Sequence, residues 1–224
     1  MIGAGGVGQV IVRHLVKAVG VKVGDIDRER LREVAKIGGE VSTSRLDAGN
    51  PDHVRKLIKG TDVVINASHP RFNLLIMKQA LRSGVHYIDL ASDSPRSMEE
   101  QMRRNLGWKK AGLVAVLGMG EDPGLSNIMA RRGADTLDTV SEIRIRDGET
   151  STSETYPFVA LFAPDVFLEE AVSPACHFEN GQMKTSPAMS GKEFYRFPPP
   201  IGEVALYSMS HEEVRTLPEY LPKK

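Results

Sequence analysis

Near its start the chain carries Gly3-Ala4-Gly5-Gly6-Val7-Gly8, a Gly-x-Gly-x-x-Gly run. Between a strand and a helix, this spacing suits a bound pyrophosphate. The first glycine permits the tight turn, the second lets the backbone approach the phosphates, and the third lets helix and strand pack closely. The helix N-terminus adds free N–H groups and a positive dipole end. The context is the expected one: Val7, Val10, Ile11, Leu15, Ala18 and Val19 fall at helical spacing, and Val21-Lys22-Val23-Gly24 then reads as a strand ending in Asp25. An acid about 20 residues beyond the glycines accepts hydrogen bonds from a ribose diol. Gly3, Ala4, Gly5, Gly6, Val7, Gly8, Asp25 and Ile26 are thus the expected dinucleotide contacts. Asp25 favours NAD, because a carboxylate repels a 2′-phosphate. Arg28 is the residue that would serve NADP instead; Arg30 is a weaker candidate for that role and reads first as the wet face of the next helix.

In an open parallel sheet, ligands sit beyond the carboxyl ends of the strands. Polar residues crowd those ends: Asp47-Ala48, Asn66-Ala67-Ser68-His69-Pro70, residues 89–94 and residues 118–124. Asp47 is placed to accept from an adenine amino group. Asn66, Ala67 and Ser68 are placed to line the nicotinamide ribose. His69, Asp89, Glu121 and Asp122 are the candidate proton handlers, and the residues alone do not rank them. Short acids also end strands and cap helices, which is the plainer reading of Asp122 before Pro123. No phosphate-binding Gly-x-x-x-x-Gly-Lys-Ser/Thr loop, His-Glu-x-x-His pair or Gly-x-Ser-x-Gly elbow occurs. With a single cysteine, Cys176, no disulfide framework and no metal are expected.

These tips need a scaffold, and residues 1–118 supply one by alternating strand and helix. Strand character appears at 40–46, 62–66, 86–90 and 113–117; residues 62–66 are nearly all apolar, as when both faces are covered, and 113–117 read as the last buried strand. Asn50-Pro51 starts a helix, residues 73–83 form one that stops at Gly84, and residues 97–111 form another. Only Met1 and Ile2 precede Gly3, so the first strand reads as clipped. Beyond Gly118 the pattern changes: a helix after Asp122-Pro123, an alternating strand at 140–146 with Arg144 and Arg146 on one face, a helix from Ala163-Pro164, a hairpin around Asn180-Gly181, and strand at 194–208 broken by three prolines. Leu221-Pro222-Lys223-Lys224 brings no closing element. The expected fold is α/β: a Rossmann-type doubly wound parallel sheet over 1–118, followed by an incomplete α+β substrate and dimerisation domain over 119–224.

Composition narrows the partners. The 224 residues are 41% hydrophobic and 26% charged, with 29 basic and 29 acidic side chains. A balanced charge argues against a nucleic-acid partner and against attraction to anionic membrane. No apolar run approaches the roughly 18 residues of a membrane span. The single cysteine suits a reducing cytoplasm.

Four segments resemble the saccharopine dehydrogenase family: residues 3–8, Asp62-Val63-Val64-Ile65-Asn66, Gly84-Val85-His86-Tyr87-Ile88-Asp89, and Gly120-Glu121-Asp122-Pro123-Gly124-Leu125-Ser126-Asn127. The last is the most specific. His211-Glu212 followed by Thr216-Leu217-Pro218 is also similar to that family's second domain. The family includes saccharopine reductases, lysine 6-dehydrogenases and carboxynorspermidine dehydrogenases. The resemblance implies NAD(P)-linked chemistry at the CH–NH or CH–NH2 group of an amino acid such as lysine or saccharopine. It also implies a homodimer when full length, and a final return of the chain to the first domain that is absent here. A reading of another class stays open, a dinucleotide-binding module that senses or scaffolds without turnover.

Overall fold

A computed structural model describes residues 1–156, 159 and 162–221. The described residues divide into two compact units, Met1–Ser92 with Glu99–Glu121, and Asp93–Met98 with Asp122–Lys224.

The first unit is a parallel sheet with helices between its strands. Strand β1 (Val21–Asp25) pairs with β2 (Val41–Arg45), and β3 (Val63–Asn66) pairs with β4 (His86–Asp89), which pairs with β5 (Ala115–Val116). Ile2 joins the two halves through parallel bridges to Gly24 and Asn66. Its amide donates to the Ile65 carbonyl at 2.9 Å, and its carbonyl accepts from Ala67 N at 2.8 Å. The short segment before the glycines therefore occupies the central strand position.

Helix α1 (Gly6–Leu15) starts at the turn, and α2 (Arg28–Ala35) is capped by Asp27, whose carboxylate accepts from the Glu29 and Arg30 amides. Asn50 caps α3 (Pro51–Ile58) in the same way, with Pro51 at the first helical position, where its missing N–H costs nothing. Helix α4 (Asn73–Ser83) ends on Gly84 at φ 70°. Two apolar clusters fill the unit: one under α3 and α4 around Ile58, Val64, Ile76, Tyr87 and Trp108, the other under α1 and α2 around Val12, Val23 and Val34.

The expected single helix at 97–111 is two helices, α5 (Pro95–Met102) and α6 (Asn105–Ala111). Between them Arg104 N donates to Gln101 O and Gly107 N to Arg104 O, three-residue closures that make a turn.

In the second unit α7 (Leu125–Asp135) begins after Gly124, two residues later than a cap at Asp122 would place it. Asn127 does the capping, its Oδ1 accepting from Gly124 N at 3.0 Å. Leu125, Ile128 and Met129 on this helix are exposed. The alternating stretch 140–146 forms no strand, because no described segment pairs with its backbone. Instead Arg144 pairs with Glu142 and Arg146 with Glu193. Helix α8 (Pro164–Val172) and the hairpin β6 (Ala175–Glu179) to β7 (Gln182–Ser186) follow the sequence. Asn180 at φ 52° and Gly181 at φ 79° supply the left-handed pair that a type I′ turn requires. A second hairpin, β8 (Glu193–Arg196) with β9 (Glu203–Leu206), contains the proline run in its loop, and α9 (Glu213–Tyr220) ends the described chain. Residues 222–224 lie outside the described residues.

Candidate dinucleotide site and a charged cluster

Each glycine of the run meets a different neighbour. At Gly3, with φ 99°, a β-carbon would stand 2.4 Å from the Ala67 carbonyl oxygen, so the turn is pressed against the end of β3. At Gly8 a β-carbon would stand 2.4 Å from the Gly3 carbonyl oxygen, so α1 leans directly on the turn. Gly5 differs: the nearest atom to its missing β-carbon is an Arg30 guanidinium nitrogen at 3.9 Å, and Gly6 has nothing within 4 Å. Two glycines are needed by the protein's own packing. The middle pair leaves bare backbone at the mouth of the sheet, next to the N-terminus of α1 and one arginine. That is a cradle which suits a pyrophosphate.

Asp25 stands where the sequence placed it, at the tip of β1, and it is 8% exposed. Its Oδ2 accepts from Ala4 N at 2.6 Å and its Oδ1 from Asp27 N at 2.8 Å. The carboxylate therefore ties the glycine turn to the start of α2. Ile26 is 60% exposed, an apolar face at the strand tip. Arg28 lines an open recess with Arg32, Thr43, Ser44 and Arg45, on α2 and β2. Arg30 is exposed, as a wet helix face requires, and it is also the arginine beside the turn, held by Asp27 at 3.5 Å.

Asp47 is exposed, and its Oδ1 accepts from Gly49 N at 2.8 Å in a local turn; Ala48 beside it is buried. Asn66 is buried. Its amide donates to Asn73 Oδ1 at 2.6 Å, and its oxygen accepts from Ser68 N and Ser68 Oγ at 3.0 and 2.6 Å. This shapes the loop through Ala67 and Ser68. His69 is half-buried, and its Nδ1 accepts from Arg71 N at 3.2 Å, capping the short 3-10 turn Pro70–Phe72. In the neutral ring that bond leaves the proton on Nε2.

Asp89 is fully buried. Its Oδ1 accepts from Gly118 N at 2.7 Å, and its Oδ2 accepts from Gln101 Nε2 at 2.5 Å and Tyr87 Oη at 3.0 Å. Burial first, and the Asp89 charge second, hold the Tyr87 phenol well above its ordinary range. This network joins β4, α5 and the end of β5, a joint that sequence spacing does not reveal. Glu121 is exposed at the last position of the first unit.

Asp122 belongs to the second unit and lies in a charged cluster. One donor atom each from Asp122, His211 and Glu213 lies within 4.8 Å of the other two. The His211 Nδ1 contacts Glu213 Oε2 and lies 3.6 Å from Glu212 Oε2. Ser126 Oγ donates to Glu213 Oε1 at 2.7 Å, and Asn127 Nδ2 to Thr216 Oγ1 at 2.9 Å. The Ser-Asn pair of the Asp-Pro-Gly-Leu-Ser-Asn stretch thus fastens α7 to α9. Burial pulls the His211 imidazole down, but the Glu213 hydrogen bond and the neighbouring carboxylates outweigh it and raise it to about 10. Burial pushes Asp147 up to about 7, helped by its hydrogen bond to Asp122 and by that residue's charge. Burial likewise lifts Glu170 to about 7, His211 opposing and Glu212 adding to the rise. From sequence only the adjacency of His211, Glu212 and Glu213 hinted at this cluster. Asp147 and Glu170 arrive from distant segments.

The chain is similar to known proteins. Residues 1–116 match the family model described as the saccharopine dehydrogenase NADP-binding domain. The chain is similar to a carboxynorspermidine synthase from Vibrio cholerae, 29% identical, covering 100% of this chain and 60% of that one. It is also similar to a carboxyaminopropylagmatine dehydrogenase from Synechocystis, 27% identical over 99% of this chain and 58% of that one. It therefore spans about three-fifths of the length of these curated relatives. The solved saccharopine dehydrogenase (L-Glu forming) of Saccharomyces cerevisiae superimposes with a TM-score of 0.62 at 20% identity, covering 88% of this chain and 46% of that one, which supports the fold. Among the described residues no helix is long and apolar enough to cross a membrane. A family match over more than half the chain, on a sheet whose glycine turn offers bare backbone at its mouth, places this protein in the saccharopine dehydrogenase family, whose cofactor is a nicotinamide dinucleotide.

Proposed function

We propose that this chain is the cofactor-binding part of an oxidoreductase acting on a CH–NH or CH–NH2 group of an amino acid or a carboxylated polyamine, working in the cytoplasm as a homodimer when full length. The observation that carries the reading is the cradle at Gly5 and Gly6, open where Gly3 and Gly8 are closed. The names of the relatives, a carboxynorspermidine synthase and a carboxyaminopropylagmatine dehydrogenase, favour a carboxyl-bearing amine over lysine or saccharopine.

The residues divide the work as follows. The Gly5 and Gly6 backbone and the α1 N-terminus bind the pyrophosphate, Asp25 holds the turn in shape, and Ile26 gives an adenine ring an apolar face. When bound, the nicotinamide supplies the hydride chemistry. The Arg30 guanidinium beside the turn can pair with a 2′-phosphate and offset the Asp25 charge, which favours NADP over NAD. His69, at the tip of β3 with its ring proton on Nε2, handles the proton at the reacting nitrogen. Asp89 is a positioning residue that holds the end of β5.

The test has two parts. Titrating this chain with NADPH and NADH by fluorescence energy transfer should show saturable binding. No binding at millimolar cofactor refutes the reading. In the full-length protein, His69→Gln should cut turnover of carboxynorspermidine about 100-fold while leaving NADPH affinity within a factor of two. Unchanged turnover removes His69 from the mechanism.

A further inference from the structure

We propose that Asp122, His211 and Glu213 form a binding site for a divalent transition-metal ion of the zinc class. They come from two places in the second unit: Asp122 from the turn before α7, and His211 and Glu213 from the start of α9. One donor atom from each lies within 4.8 Å of the others. Any three points so spaced lie within about 2.8 Å of a common centre, against the roughly 2.0–2.2 Å of zinc–nitrogen and zinc–oxygen bonds. Coordination needs shifts of under about 1 Å, with His211 Nδ1 and Glu213 Oε2 moving out of their mutual hydrogen bond.

The surroundings support the ligands. Glu213 is 3% exposed, and Ser126 Oγ holds its Oε1 at 2.7 Å, leaving Oε2 as the atom aimed at His211. A hydrogen-bonded, buried carboxylate is how metal sites orient a ligand. The charges also fit. A neutral imidazole with two carboxylates carries two negative charges and matches a doubly charged ion, with Glu212 adding a third carboxylate beside His211. One nitrogen and two oxygens select zinc, cobalt, nickel or manganese over thiolate-preferring ions. Three protein ligands leave coordination positions for water. A ligating imidazole nitrogen must be deprotonated, so metal competes with protons at His211.

The site lies wholly in the second unit, so its test is independent of the cofactor reading. The chain is stripped with EDTA and titrated with Co²⁺ by absorption and with Zn²⁺ by calorimetry, in the absence of cofactor. One ion per chain is expected, with visible cobalt d–d bands of a low-symmetry nitrogen–oxygen site, displaced by Zn²⁺. His211→Gln and Asp122→Asn should each weaken Zn²⁺ at least 10-fold, with near-UV circular dichroism unchanged, and His177→Gln on β6 should have no effect. Absence of binding by the folded wild-type chain at 1 mM Zn²⁺ overturns the proposal. So does binding that survives both substitutions, because the ion then sits elsewhere. If one variant loses its native spectrum, the other decides.

Discussion

Gly5→Ala separates binding from folding at the glycine turn. Gly5 has φ −69° and ψ −171°, a backbone any residue adopts, and the new methyl would meet only an Arg30 nitrogen at 3.9 Å. Gly5 is also the N-cap of α1 and contributes no side-chain bond there. Alanine at an N-cap costs about 0.5–1 kcal/mol relative to glycine. The lower entropy of the unfolded alanine chain returns about 0.4–1 kcal/mol. The apo stability should therefore move by no more than about 1 kcal/mol, or about 2–4 °C in Tm for a chain of this size. A phosphate oxygen on these amides sits about 3 Å from the backbone nitrogens, closer than a methyl tolerates. Losing one charge-assisted hydrogen bond costs about 1.5–3 kcal/mol, so NADPH affinity should fall about 10- to 100-fold. Gly8→Ala is the contrast. Its methyl would stand 2.4 Å from the Gly3 carbonyl, so α1 must shift and both stability and affinity should fall, stability by about 1–3 kcal/mol. Melting without cofactor and NADPH titration read both quantities. A Gly5→Ala protein that keeps its Tm and binds NADPH within twofold of wild type would refute the turn as the pyrophosphate seat.

Asp25→Ala leaves the amides of Ala4, which is fully buried, and Asp27 without their acceptor. It should lower Tm by about 5–15 °C and weaken NADH and NADPH together; an unchanged Tm with loss confined to NADH would make Asp25 the ribose acceptor instead. Arg30→Ala should weaken NADPH at least 10-fold and NADH less than threefold, while Arg28→Ala, facing the recess along β2, should do neither; the reverse result moves 2′-phosphate recognition to Arg28. In chelated buffer the second unit should lose stability as pH rises. Asp147 and Glu170 titrate near 7 when folded against ordinary carboxylate values of 3.8 and 4.5, so the folded state holds more protons through that window and stability is lost across it. His211, near 10 when folded and 6.5 otherwise, contributes stability present below pH 6.5 and lost toward pH 10. Hydrogen exchange of α7 and α9 amides, corrected for intrinsic rates, should show falling protection from pH 5 to 9, and rising protection contradicts the assignment.

What the sequence disclosed, and what it hid, follows the distance over which each residue's environment is assembled. Asn50 before Pro51, Gly84 after residue 83 and Asn180-Gly181 act within one turn of chain, and all three stand as read. The glycine run is legible for the same reason. The stretch 140–146 has a strand's alternation, but a strand also needs a partner, and alternation says nothing about who that is. Asp25, Asn66 and Asp89 were all found at strand tips, where polar groups gather around ligands. The hydrogen bonds that hold them were not legible because these partners are remote: Ala4 for Asp25, Asn73 for Asn66, Gly118 and Gln101 for Asp89. A buried carboxylate must find donors somewhere, and a strand tip offers main-chain amides as readily as it offers a ligand. Exposure and unclaimed backbone therefore discriminate better than polarity. By that criterion the open backbone at Gly5 and Gly6, the exposed Ile26 and the nearby Arg30 are the features on which the proposed dinucleotide site rests, beside Asp25.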